Sequence, residues 1–399
     1  MGIFARMKKF NSLNYELTPA QLTLLTVQGV FLLASGFSSV FINLFIFSYN
    51  ESIQRVVLYY IPHFAFTFLS FYACSFFCKK YGVVVSLKTG IFCYAASYAL
   101  LLFFGEFFAY HPWYLGILLG VSAGFYYLAY NVMYFEYSQK NWDTFLSAQG
   151  VVNSISSLIA PLSAGAIIGA LSGKQGYVTV FSISLLLFLS AFLISLNLPK
   201  SQNGERTYFR SMFLLFIKNR AYLRGMSSEL FRGFREGTMM FLPPVLIYKS
   251  LKSEFLIGTY SFTSSLFSIL AYFILGRFID ASKRKRYLLF GGVCMFLVSL
   301  IPLINNAAAP IFIYGVLVSF FVPFVMNGYT PIMYETLNQL PNIQRRRIES
   351  MAVRETFINV GRLIGIIPIL FMTTDFQMDI LLILLGLSQI GIYLLLKDN

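Results

Sequence analysis

The sequence predicts an all-α integral membrane protein, with twelve transmembrane helices in two six-helix halves related by a pseudo-two-fold repeat. Three observations predict it. The chain has 399 residues, of which 57% are hydrophobic and only 12% charged, where a water-soluble chain carries about 25% charged residues. Its apolar residues fall in runs long enough to cross a bilayer, which takes about 20 residues. Local patterns also recur at a shift of 199–201 residues. A disordered chain, a disulfide scaffold and an ordinary soluble enzyme are excluded by the same composition.

The runs fall at 22–47, 55–77, 83–104, 113–137, 146–170, 177–197, 227–248, 255–279, 287–305, 310–334, 351–372 and 379–396. Arg6, Lys8 and Lys9 precede the first run. That run is too long for a signal-peptide core, so it is expected to stay as a first span. Most runs contain Gly or Pro, which membrane helices tolerate better than soluble ones. The longest polar stretch divides the chain into an N-terminal half (1–198), a cytoplasmic linker (199–225) and a C-terminal half (226–399). Within that stretch Tyr208, Phe209 and the segment 212–217 could lie on the inner leaflet as an amphipathic helix; a plain linker is the simpler reading.

Twelve spans put both termini on one side. If that side is the cytoplasm, 22 of the 30 Lys and Arg residues lie in cytoplasmic segments, and only Arg55, Lys174, Lys249 and Lys252 lie outside. This is a strong positive-inside bias. It predicts a multi-pass plasma-membrane protein with both termini cytoplasmic, and the short loops suit a bacterial inner membrane. The net charge of +14 is therefore a topology signal, and no nucleic-acid partner is expected. Cys74, Cys78, Cys93 and Cys294 lie in or beside apolar runs, so neither a disulfide framework nor a metal site is expected.

The repeat is seen at several places. Gly36 falls on Gly237, Tyr59 on Tyr260, the Lys79-Lys80 loop on the loop at Asp280, Met133-Tyr134 on Met333-Tyr334, and Glu136 nearly on Glu335. Parallel repeats of this kind build one large class of transporters, with the substrate site where the halves meet.

The loop between runs 8 and 9 reads Gly276-Arg277-Phe278-Ile279-Asp280-Ala281-Ser282-Lys283-Arg284-Lys285. It resembles the signature loop of the major facilitator superfamily at Gly276, Asp280 and the Arg284-Lys285 pair; Lys283 stands where that loop has its second glycine. The equivalent stretch in the first half keeps Gly82 but has Lys79 in place of the acid. Run 5 (Ser147, Ser156, Ala160-Pro161, Ala164-Gly165) is similar to the glycine-rich motif of drug–proton antiporters, with Ser or Ala for most of the glycines. The arginine of those antiporters in run 4 is absent, with Gly120 near its place.

The resemblance implies that spans 1, 4, 7 and 10 line a central cavity. On span 1, Gln28, Ser35, Ser39 and Asn43 share one helical stripe. The repeat carries them to Glu229, Glu236, Met240 and Pro244. On span 4, Tyr127, Asn131 and Tyr134 share a stripe that maps to Asn327, Pro331 and Tyr334. The expected substrate-binding set is Gln28, Ser35, Ser39, Asn43, Tyr127, Asn131, Tyr134, Glu236, Met240, Asn327 and Tyr334.

Charges inside spans point to function. Glu229, Arg232 and Glu236 are spaced to form a salt-linked ladder. Glu236 is the expected protonation site, with Arg232, Arg235 and Arg362 as its charged surroundings. For gating, Glu136 is expected to pair with Lys79 or Lys80, and Glu335 with Lys283 or Arg284, beside Asp280. His63 and His111 are isolated, and no nucleophile or metal cluster accompanies them, so no catalytic residue is expected. No nucleotide-binding glycine loop occurs, and no cofactor is expected.

The resulting expectation is a monomeric secondary transporter that moves a small organic solute through membrane lipid by alternating access. Proton-coupled efflux of amphipathic or cationic compounds leads. Uptake of a sugar or peptide nutrient, or a non-transporting sensor on the same fold, are the alternatives.

Overall fold

The computed structural model describes residues 17–138, 142–171, 174–199, 218–278, 283–304, 307–340 and 346–397. Each apolar run becomes a helix. Spans 1 to 6 are Pro19–Asn50, Ile53–Tyr81, Val83–Phe103, Pro112–Ser138, Trp142–Leu171 and Lys174–Ser195. A short helix, Gly105–Tyr110, joins spans 3 and 4. Span 7 comes in two pieces, Arg220–Met239 and Leu242–Leu251. Spans 8 to 12 are Glu254–Phe278, Arg284–Val298, Ala308–Asn338, Arg347–Ile366 and Asp375–Leu396. The expected amphipathic segment at 208–217 lies outside the described residues.

Local chemistry sets the ends. Thr18 caps span 1, accepting from the Gln21 N–H while the Gln21 side chain accepts from the Thr18 N–H, and Pro19 stands at the first turn. Thr374 and Gln377 make the same capping box at span 12. Such a box satisfies two orphan amides at once. The break in span 7 falls at Met240 and Phe241, just before Pro243-Pro244. Two successive prolines supply no N–H to the preceding turn, so the helix restarts there.

Ten of these helices are long and apolar enough to cross a membrane. Spans 7 and 11 fall outside that set because they carry the charges: Glu229, Arg232, Arg235 and Glu236 in one, Glu349, Arg354, Glu355 and Arg362 in the other.

Within the first half, span 1 packs on spans 5 and 6, and span 4 on spans 2 and 3; within the second, span 7 packs on spans 11 and 12, and span 9 on spans 10 and 12. The halves meet where span 5 lies against span 8, span 2 against span 11, and the Leu242–Leu251 piece of span 7 against span 1. Apolar side chains gain little from leaving lipid for protein, so close backbone approach carries much of this packing. At Gly36 an added Cβ would stand 2.8 Å from the Ala160 Cβ of span 5. At its repeat mate, Gly237, it would stand 2.8 Å from the Arg362 Cα of span 11. The two glycines thus do the same work in the two halves.

Candidate functional site

A cavity of about 260 Å³ lies between the halves. Span 1 gives it Ser35, Ser39 and Ile42; span 2 gives Tyr59, Tyr60, His63, Phe64, Thr67 and Phe71. Tyr94 and Tyr98 come from span 3, and Leu119, Ala123, Tyr127 and Asn131 from span 4. The second half adds only Met240, Glu355 and Arg362. The wall is aromatic and hydroxyl-rich on one side and charged on the other.

Helix geometry explains the aromatic wall. Tyr59, His63 and Thr67 are four apart on span 2, and Tyr94 and Tyr98 four apart on span 3, so each set shares a face. An added Cβ at Gly120 would stand 2.5 Å from the His63 carbonyl oxygen, and one at Gly116 2.2 Å from that of Tyr59. Span 4 therefore seats directly on the span 2 backbone. That contact gives Gly120, at the position of the antiporters' missing arginine, a packing role. Behind the wall, Phe31 stacks on Tyr126 with ring centroids 3.5 Å apart.

The charged side is a ladder across spans 7 and 11. Arg232 Nε donates to Glu236 Oε1 at 2.9 Å, and Arg232 Nη1 lies 3.2 Å from Glu229 Oε2. Arg362 Nη2 donates to Glu236 Oε2 at 3.1 Å, while Arg354 Nε donates to Glu229. The Glu229 side chain is fully buried. Each acid therefore holds two arginines, and the shared arginines rivet span 7 to span 11. Arg362 Nη1 also donates to Asn359 at 3.1 Å, and its guanidinium lies 5.3 Å from the centroid of the Phe64 ring. Arg235 is 6% exposed and makes no ion pair among the described residues.

Of the expected substrate-binding residues, Ser35, Ser39, Tyr127, Asn131 and Met240 line the cavity. Others do not. Gln28 is buried, its Oε1 accepting from the Tyr126 hydroxyl at 2.5 Å. Asn43 is fully buried in span 1. Tyr134 stacks between Tyr130 and Phe145. Glu236 is taken up by its arginines, and Asn327 donates to the Pro323 carbonyl of its own helix at 3.0 Å. The side chain of Tyr334 lies outside the described residues. The resemblance implied a lining from spans 1, 4, 7 and 10; among the described residues span 10 gives no lining side chain and span 7 gives Met240, while spans 2, 3 and 11 join spans 1 and 4 in forming the wall.

Gating residues divide similarly. Lys79, Lys80 and Arg284 mark one face of the bundle, the basic face. There Arg284 Nη1 donates to Glu335 at 2.7 Å. Lys79 reaches across the halves to Glu349 at 2.5 Å, where Glu136 was the expected partner. The side chain of Glu349 is fully buried, which draws the lysine to it. Lys80 turns over the Tyr81 ring at 5.0 Å, and Glu136 stands exposed at the end of span 4. Lys283 precedes the first turn of span 9, and Asp280 lies outside the described residues.

At the opposite face, spans 1 and 7 meet through residues 201 apart in sequence. Phe47 packs edge-on against Tyr248 with centroids 6.2 Å apart, and Lys252 donates to Glu51. Among the described residues, Glu51 and Lys252 are also the two non-glycine residues of positive φ, at 49° and 46°, each ending its helix. The same residue pairs are brought to the pseudo-dyad by the repeat, so spans 1 and 7 close on each other there.

Sequence reasoning missed Tyr59, Tyr60, Tyr94, Tyr98 and Glu355. The i, i+4 spacing of Tyr59 and His63 on span 2, and of Tyr94 and Tyr98 on span 3, was a usable signal. Glu355, seven residues before Arg362 and so on the same helical face, was another.

A family model for the major facilitator superfamily matches residues 226–398. The chain is 29% identical over 382 residues to an uncharacterized protein, YqgE, of Bacillus subtilis (strain 168), covering 94% of this chain and 89% of that one. It is 30% identical over 182 residues to an uncharacterized protein in the sodM 3' region of Geobacillus stearothermophilus, covering 45% of this chain and 83% of that one. Among solved structures, it is similar to the peptide transporter POT in complex with alafosfalin, with a TM-score of 0.74 at 12% identity, covering 95% of this chain and 93% of that one. A bacterial homologue of the iron transporter ferroportin, in an inward-facing state, gives a TM-score of 0.71 at 13% identity, covering 96% and 99%. Twelve spans in two repeated halves around a central cavity define a multi-pass secondary transporter. The chain belongs to the major facilitator superfamily.

Proposed function

We propose that this transporter exports amphipathic or cationic organic compounds in exchange for protons. The observation that carries this reading is the cavity lining: five tyrosines and two phenylalanines, but only one side-chain amide, Asn131. Aromatic rings accept many apolar shapes, and their faces attract cations.

In this proposal both termini are cytoplasmic and the basic face is the inner one. The halves are 1–198 and 226–399, joined by 199–225. The Phe47–Tyr248 and Glu51–Lys252 contacts close the outer side, and the Lys79–Glu349 and Arg284–Glu335 pairs act at the inner side. Glu236 couples transport to protons, because a proton on it would dissolve its bonds to Arg232 and Arg362 and loosen span 7 from span 11. Alternating access then follows from a bias between two packings of the halves.

The test is transport in proteoliposomes under an imposed pH gradient, using a lipophilic fluorescent cation. Wild-type protein should drive cation flux against its own gradient. Glu236→Gln should bind the cation and exchange it but lose uphill flux. Wild-type coupling in Glu236→Gln would remove Glu236 from the mechanism, and absence of any flux in the wild type would remove the efflux reading.

A further inference from the structure

Spans 7 and 11 carry four glutamates, of which the ladder and Lys79 take three. Glu229 and Glu236 take Arg232, Arg354 and Arg362, and Glu349 takes Lys79. Glu355 has no ion pair and no side-chain hydrogen bond among the described residues, yet it lines the cavity. Its two nearest arginines in sequence are turned elsewhere. Arg354 is held by Glu229, and Arg362 by Glu236 and Asn359 over the Phe64 ring. The helix is fixed at this level, because the next residue, Thr356, shares a hydrogen bond of 2.8 Å with Tyr72 of span 2.

A membrane-embedded carboxylate without a paired cation is costly. Nearly all such groups find a partner, so an exception calls for a physical cause. Here the cause is geometric: the arginine heads are held by Glu229, Glu236 and Asn359, and although Arg362 also lines the cavity, neither neighbouring arginine pairs with the acid, which is left open to it. The same cavity is lined by Tyr127, Tyr59, Tyr94 and Phe71, rings that suit an apolar body and add attraction for a positive head.

We propose that Glu355 is the specificity-determining residue of this cavity, pairing its carboxylate with the positively charged nitrogen of the solute. The inference rests on the export reading for its cargo, but its binding step is separate from flux. It selects monovalent organic cations with an aromatic or aliphatic body over neutral molecules of the same shape. Zwitterions are disfavoured, because both terminal nitrogens of Arg362 are engaged, by Asn359 and Glu236, and its unpartnered Nε is buried out of a solute's reach.

The experiment compares the permanent cation benzyltrimethylammonium with its neutral carbon isostere, neopentylbenzene, and with the zwitterion phenylalanine. Binding to the full chain in detergent is read by thermal shift and competition. The wild type should bind the cation at least about tenfold more tightly than either of the others. Glu355→Gln should lose that preference while its affinity for neopentylbenzene stays within about twofold of wild type. Protection is a second readout that needs no variant: the cation should slow labelling of Glu355 by dicyclohexylcarbodiimide in the wild type, and neopentylbenzene should not. Equal binding of cation and isostere by the wild type would overturn the inference. So would unchanged cation preference in Glu355→Gln, or unprotected labelling, each of which would make Glu355 a remote counter-charge to the ladder. Failure of proteoliposome flux with these binding results intact would count against export alone.

Discussion

The two halves place different chemistry at the same repeat position. Gln28 on span 1 and Glu229 on span 7 are 201 residues apart, and both are buried. Gln28 ties span 1 to span 4 by one neutral hydrogen bond to Tyr126. Glu229 ties span 7 to span 11 by ion pairs to Arg232 and Arg354. The first half has thereby become an aromatic and hydroxyl wall, and the second a charged frame. One fold, duplicated, can divide binding from charge management when the same stripe carries neutral residues in one copy and ionised ones in the other.

The comparison is most directly broken at Glu229. Removing one partner of a buried ion pair leaves uncompensated charge and costs about 3–5 kcal/mol. Glu229→Gln should therefore sharply reduce the fraction of monodisperse protein surviving a heating series in detergent. Gln28→Ala removes one hydrogen bond, worth about 1 kcal/mol, and should lower that survival only slightly. Equal losses would mean that the halves do not differ in this way.

An intermediate effect tests what the halves share. Gly36→Ala and Gly237→Ala each force a contact of 2.8 Å to relax, and overpacking of this kind costs about 1–3 kcal/mol. Both should destabilise, Gly237→Ala more than Gly36→Ala, because its Cβ meets three Arg362 atoms within 2.9 Å where that of Gly36 meets one methyl at 2.8 Å. Equal losses would show that span 11 yields as readily as span 5.

The smallest effect belongs to the exposed pair at the pseudo-dyad. The Lys252 ammonium beside Glu51 holds its carboxyl below the usual carboxylate range. The paired state thus has the depressed value. Its contribution is full above the ordinary value near 4.5 and is lost as pH falls through the lower one. Labelling of a cysteine placed at Ser39, read from the opposite face, should be flat between pH 6 and 8 and rise only under strong acid (~pH 4 and below). Glu51→Lys should raise that labelling a few-fold at most, and adding Lys252→Glu should return it. Labelling that changes near neutral pH would show that another group governs this closure.

Much of the fold was legible because bilayer thickness and backbone satisfaction leave few options for an apolar run. The ladder was half legible as well. Glu229, Arg232 and Glu236 share one helical face by spacing alone, whereas the pairing of Arg362 with Glu236 joins residues 126 apart. The cavity was legible only where polar residues sat on apolar stripes, at Ser35, Ser39, Tyr127 and Asn131. The tyrosines of spans 2 and 3 were hidden by the chain's own composition: with 26 Tyr and 44 Phe, any stripe contains rings. Gln28 and Asn327 were polar for a different reason, each satisfying a neighbour or its own helix.

By itself the sequence determined the number of spans, their duplication and the residues that carry charge within them, because these depend on local hydropathy and spacing. Only the tertiary structure decided which charges cancel. Lys79 took Glu349, Glu236 took two arginines, and Glu355 took none among the described residues. The reason is physical: a charge in a low-dielectric interior is governed by whichever opposite charge packing brings within a few ångströms, and in a helical bundle that partner comes from another helix.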